Sequence, residues 1–155
     1  HVVETPLGSL AVYNVHPLSA RGALASVRGE GLRREIASGR LITGANARKV
    51  QDETALRVLQ VRTFSELARK ETLPVIIAGD TNLPALSPLL SHLSDFQDGF
   101  VAASAGFGYT FPTKLPFLRL DRIYASDSLR FVSFEVGCST VSDHACVMAD
   151  IQPRR

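Results

Sequence analysis

At 155 residues, with 45% apolar and 21% charged side chains, the chain holds one domain's worth of sequence and can bury a real core. It contains no apolar run of about 18 residues, which excludes a transmembrane helix within it. A net charge of +2, from 17 Lys+Arg against 15 Asp+Glu and without a long basic run, permits a polyanionic partner but does not demand one.

Val2–Val3 and Leu10–Val15 read as two strands joined by a turn containing Pro6 and Gly8, a hairpin pattern that ends at His16–Pro17. Residues 18–52 read as an irregular basic loop region, broken by Gly22, Gly29, Gly31, Gly39 and Gly44. It is either a solvated surface or a flap presenting arginines, Arg21 among them, to phosphate. Asp52–Lys70 is the clearest helix, with Asp52 as its cap and Glu53 in its first turn. Leu56, Val61, Phe64, Leu67 and Ala68 fill one apolar arc. Arg57 and Gln60 fall inside that arc, so they are expected to hydrogen-bond into the sheet or toward a site.

Val75–Ala78 is a short β-branched run, a buried strand. It delivers Asp80 and Asn82 to its end, and they share a direction if the extended path continues. Gly79–Asp80–Thr81–Asn82 is also ordinary turn chemistry. The strand–helix–strand order predicts an α/β fold. Ser87–His92 reads as a short helix, and Asp95–Val101 leads into a loop. Gly106–Pro112 is a glycine–aromatic loop whose rings either pack on the core or wall a base or apolar leaving group. Leu118–Ala125 alternates, which puts Asp121 on a face with Ile123, where a carboxylate needs a partner. Phe131–Val136 and Ala145–Ile151 are further strands, separated by the polar loop Ser139–His144. Cys138 and Cys146 form neither a disulfide framework nor a zinc spacing; both are expected to be small apolar residues, a single bridge being the alternative in an oxidising compartment.

His16, Asp80, Asn82, Asp121, Asp143 and His144 all stand at strand ends or strand–loop junctions. Oxygen-rich donors suit a hard cation such as Mg²⁺ or Mn²⁺, and histidines beside carboxylates suit proton transfer. Together they are a kit for metal-assisted phosphoester hydrolysis. The order Asn14–Val15–His16, Gly79–Asp80–Thr81–Asn82, Arg119–Leu120–Asp121–Arg122–Ile123 and Ser142–Asp143–His144, with Thr110–Phe111 before the third block, resembles the endonuclease/exonuclease/phosphatase superfamily of deoxyribonuclease-like proteins. The resemblance implies half of a two-sheet β-sandwich flanked by helices, with mixed, mostly antiparallel sheets. It implies Asp80 as base or orienter of the attacking water, and Asn82 as a phosphate or metal ligand. It implies Asp143, with Asn82 and Asp80, at the metal. It implies His144 as stabiliser of the pentacovalent phosphate with its tautomer fixed by Asp121, and His16 on the other side of the phosphate. Arg21, Arg57 and Phe111 would be further phosphate or substrate contacts.

In that family an early Asn, a metal-binding Glu and an acidic partner for the first histidine come from the first half of the domain, upstream of the His16 block. Residues 1–155 therefore look like a single partial domain, the C-terminal half, with one sheet face left for the other half or for a second copy of the chain. The alternative is a non-catalytic binding module that keeps the fold. Leu118–Arg119–Leu120 ahead of Asp121, in a chain without Trp, disfavours the inositol-phosphatase branch; Phe111 stands where abasic-site endonucleases carry Trp. The sequence most resembles bacterial members of unassigned substrate, nucleic acid or a small phosphoester. Cytoplasmic and extracytoplasmic, membrane-attached settings are both compatible with it.

Overall fold

The structure, a computed structural model, describes residues 1–19, 45–137 and 141–154. The expected first hairpin is β1 (Val2–Thr5) with β2 (Gly8–Asn14), paired antiparallel. Helix α1 (Ala45–Arg69) then crosses to β3 (Val75–Asp80), which runs parallel to β2, with Ala11 opposite Val75 and Asn14 opposite Ala78. A 3₁₀ turn (Pro88–Leu93), a two-residue strand β4 (Gln97–Asp98) and a short helix α2 (Gly99–Ala103) follow. Strands β5 (Asp121–Ala125), β6 (Leu129–Gly137) and β7 (Cys146–Pro153) complete the described elements. The order β1–β2–β3–β5–β4 makes a mixed five-stranded sheet, and β6–β7 make a second, antiparallel one. This is the α/β architecture that the strand–helix–strand order and the resemblance called for.

The central strand is buried because its two faces serve two cores. Val75 and Ile77 point toward α1 and pack with Ala11, Val15, Ala68, Phe96 and Tyr124. Ile76, one residue out of phase, points the other way. It joins Leu10 and Ile123 against Leu129, Phe131, Ala149 and Ile151 of the second sheet. Each fully buried branched side chain contributes about 1.5–3 kcal/mol, so Val75 and Ile77 anchor β3 firmly.

Four local expectations are corrected. The helix starts at Ala45, so Asp52 lies inside it rather than capping it, and residues 45–52 belong to α1 rather than to an irregular loop. The buried face carries Val61, Phe64, Ser65 and Ala68, whereas Leu56 and Leu67 are about half exposed. Ser65 fits that face because its hydroxyl donates to the Arg62 carbonyl of the preceding turn. Residues 97–103 are not a lead into a loop but β4 and α2, whose first turn is capped by the Asp98 carboxylate accepting from Phe100 N at 3.0 Å. Cys146 is disulfide-bonded rather than a small apolar thiol. Cys138 lies outside the described residues, as do Arg21 and the rest of the basic stretch up to residue 44.

Gly79 is where backbone geometry requires glycine. Its φ is +142°, and a Cβ there would stand 2.1 Å from the Val15 carbonyl oxygen. Gly79→Ala is expected to destabilise the protein by about 2–3 kcal/mol in urea unfolding. Gly106→Ala, at φ +90° but with open space around it, should cost clearly less. Equal losses would mean that backbone strain, not the close approach to Val15, sets the cost.

Candidate active site

The site lies where the large sheet ends beside the loop that feeds β7. Asp80 closes β3 and Asp121 opens β5, and the two are register partners across the antiparallel pair. Their side chains therefore project from the same face. His144 comes from the other sheet's side, two residues before β7 begins at Cys146. Its Nδ1 is 2.8 Å from Asp121 Oδ2. That contact holds the ring with Nε2 aimed at Asp80 Oδ2, 3.8 Å away. His16, just past β2, reaches the same oxygen, with Nε2 also at 3.8 Å. Both 3.8 Å separations exceed a hydrogen bond and leave a gap that one oxygen atom of water or phosphate can bridge. His16 is mostly exposed, whereas Asp80, Asp121 and His144 are half-buried.

Short polar side chains fix this geometry. Asp80 Oδ1 accepts from Asn82 N at 2.8 Å, closing a tight Asx turn, so Oδ2 is the oxygen aimed at the gap. The extended path stops here: Asn82 has φ +50°, and its side chain does not simply continue the alternation begun by Asp80. Asn82 Nδ2 donates to Pro17 O at 2.9 Å, which ties this turn to the segment just after His16. Buried Thr81 donates to Leu120 O at 2.7 Å, and buried Thr110 Oγ1 accepts from Leu120 N and Asp121 N. Thr110 O accepts from Ala145 N at 2.7 Å, so one threonine positions both Asp121 and His144. The Phe111 ring lies 4.7 Å from the His144 ring, centroid to centroid.

Beneath the site runs a buried ion cluster. The Arg122 guanidinium, 1% exposed, donates to Asp98 Oδ2, to Leu83 O just after Asn82 and to Arg119 O just before Asp121. Arg119 completes the pair with Asp98 at 2.9 Å. Burial pushes the Arg122 pKa down and the neighbouring Tyr124 hydroxyl pKa up. Arg122 Nε is the one buried side-chain polar atom without a hydrogen bond among the described residues.

The structure thus brings together His16, Asp80, Asn82, Asp121 and His144, with Phe111 against the last. Asp143 is placed by its backbone, its carbonyl accepting from Thr113 N at 2.9 Å. Arg57 and Gln60 do leave the helix arc for partners, but the partner is the chain just after His16. Arg57 Nε donates to Leu18 O and Gln60 Oε1 accepts from Leu18 N. Sequence reasoning missed the roles of Thr81, Asp98 and Arg122; the alternation that put Arg122 in phase with Leu120 and Tyr124 was the available signal. Ligand atoms of Asp80, Asp121 and His144 lie within 4.8 Å of one another, a spacing that suits a metal ion. Two carboxylates and one imidazole fit a divalent cation, though this group has only Asp80 in common with the set Asp80, Asn82 and Asp143.

A model of the Endonuclease/Exonuclease/phosphatase family matches residues 5–144. An endonuclease/exonuclease/phosphatase from Beutenbergia cavernae aligns at TM-score 0.58 and 19% identity, over 98% of this chain and 38% of that one. A beta toxin from Staphylococcus aureus aligns at TM-score 0.58 and 18% identity, over 96% and 55%. A family protein from Bacteroides thetaiotaomicron aligns at TM-score 0.54 and 20% identity, over 63% and 44%. The chain thus spans about half the length of the structures it resembles, or less. No match was found among curated proteins.

Arg122→Met is expected to lower unfolding stability by about 3–5 kcal/mol, because it breaks a buried pair on one side only. Arg122→Lys should recover only part of this, since an ammonium cannot reach Asp98, Leu83 and Arg119 together. Full recovery by Lys would show that charge alone, not the planar fork, holds these segments.

Proposed function

Because this chain belongs to the endonuclease/exonuclease/phosphatase family, we propose that it carries the catalytic centre of a metal-dependent phosphoester hydrolase, acting on nucleic acid or on a small phosphodiester or phosphomonoester. One observation carries this reading: Asp80 Oδ2 stands 3.8 Å from both His16 Nε2 and His144 Nε2, and His144 is oriented from behind by Asp121.

In this reading the phosphoryl group sits between the two imidazoles. Asp80 takes a proton from the attacking water as its oxygen bonds to phosphorus and the ester P–O bond breaks; the leaving oxygen is protonated from solvent. His144, with Nδ1–H donated to Asp121, presents Nε2–H to the oxygen on which charge develops. His16 meets the phosphoryl group from the other side. A Mg²⁺ or Mn²⁺ ion bound here would supply Lewis-acid charge. The oxygen donors Asp80, Asn82 and Asp143 are the residues assigned to hold that ion, next to the Asp80–Asp121–His144 group. Arg21, Arg57 and Phe111 are assigned to the phosphate or to the group it carries.

The reading also includes a polypeptide partner. A groove of about 570 Å³ opens between the two sheets, lined by Leu7, Leu10, Ile76, Leu129, Ala149 and Ile151. Its apolar lining fits the remaining half of the domain or a second copy of the chain.

The full-length protein is expected to hydrolyse a generic phosphodiester with Mg²⁺, and Asp80→Ala to lower kcat roughly 10²–10⁴-fold. Equal rates would remove Asp80 from the mechanism and leave a binding module as the better description.

A further inference from the structure

One feature beside the site has no part in the chemistry above. In the glycine–aromatic loop, Phe107 and Tyr109 alternate with Gly106 and Gly108, both at positive φ. Their rings stack at 5.2 Å and 10°. Yet the pair faces solvent, with Phe107 76% and Tyr109 37% exposed. Two aromatic rings turned outward are not explained by core packing, and stacking on each other leaves the outer ring face open to water.

The shelf is firmly mounted. Gly108 lies so close to the Phe100 ring that a Cβ would stand 2.4 Å from it. Phe100 in turn packs edge-on against Phe134, with the Arg119 guanidinium 4.8 Å above its face. The next residue after Tyr109 is Thr110, which bonds the backbone of Asp121 and Ala145, and Phe111 then meets the His144 ring. The shelf is therefore one residue from the scaffold of the catalytic group, on a continuous backbone path.

We propose that Phe107 and Tyr109 form a stacking subsite for a nucleobase carried by the phosphoester, so that the site takes nucleotide-type substrates. This deepens the hydrolase reading and rests on it. A flat, parallel ring pair selects a flat ligand, where an acyl chain would need a broad apolar patch instead. Stacking of a base on an aromatic side chain corresponds to roughly five- to 150-fold in affinity.

The test uses the full-length protein and compares adenosine 5′-monophosphate with ribose 5-phosphate, the same phosphate without a base, by equilibrium dialysis. Wild type is expected to favour the nucleotide roughly five- to 150-fold. Phe107→Ala should bring the ratio of affinities to about one, whereas Phe107→Tyr, which keeps a flat ring, should preserve it. Asp80→Ala should retain the ratio while losing turnover, which separates failure of the subsite from failure of the hydrolase assignment. The proposal is overturned if wild type binds both ligands alike, or if Phe107→Ala weakens both equally. It is also overturned if the substitution spares the ratio and instead removes binding to phosphatidylcholine vesicles, which would make the shelf a membrane contact.

Discussion

Asp80 and Asp121 face each other across β3 and β5, and that cross-strand pairing sets the terms for everything nearby. Like charges directly opposite in an antiparallel pair are destabilising, so such a pair persists only where neighbours offset it. Here the neighbours are specific. Asn82 N holds one oxygen of Asp80, and the His144 ring holds one oxygen of Asp121. The oxygen of Asp80 aimed at the gap is flanked by two imidazoles, and the gap has the chemistry for an anion or a hydrated cation. Register upstream does the rest. Because Asn14 pairs with Ala78, the chain leaving β2 arrives beside Asp80 and brings His16 with it. The approach of Val15 to Gly79 is the tightest point of that junction.

Much of this was legible in the residues. The β-branched run at Val75–Ala78, the alternation through Asp121 and Ile123, and the histidines next to strand ends required no tertiary knowledge, because strand period and turn chemistry are local. What escaped was set by tertiary contact. The helix extends upstream of Asp52 and turns Leu56 and Leu67 outward, so a hydrophobic arc alone did not fix which face is covered. Alternation puts Arg122 in phase with Leu120 and Tyr124, but does not show which partners offset its burial: Asp98 and Leu83 reach it from segments 24 and 39 residues away, and Arg119 O from its own strand approach. The positive φ of Asn82 follows from its own backbone bond to Asp80, which an extended-strand reading overlooks.

The molecule separates the groups assigned to chemistry from those assigned to selecting the substrate. The groups assigned to chemistry sit at strand ends locked by Thr81, Thr110 and a buried guanidinium, where a displacement of an ångström would be costly to catalysis. The groups assigned to selecting the substrate sit on the glycine-rich loop beside them. A fold that spans about half of its structural relatives can still hold such a centre together, because the bonds that orient Asp80, Asp121 and His144 all lie within this chain. The proposed polypeptide partner has its place in the apolar groove between the sheets.

The central claim is that Asp121 acts through His144, so the two form one functional unit. The most direct measurement is a double-mutant cycle on phosphodiester turnover in the full-length protein, with Asp121→Asn, His144→Ala and both together. Residues that act as a unit are strongly non-additive. The account predicts that the double variant is no slower than His144→Ala alone. Independent effects that multiply, with the double variant slower by the product of the two single losses, would contradict it.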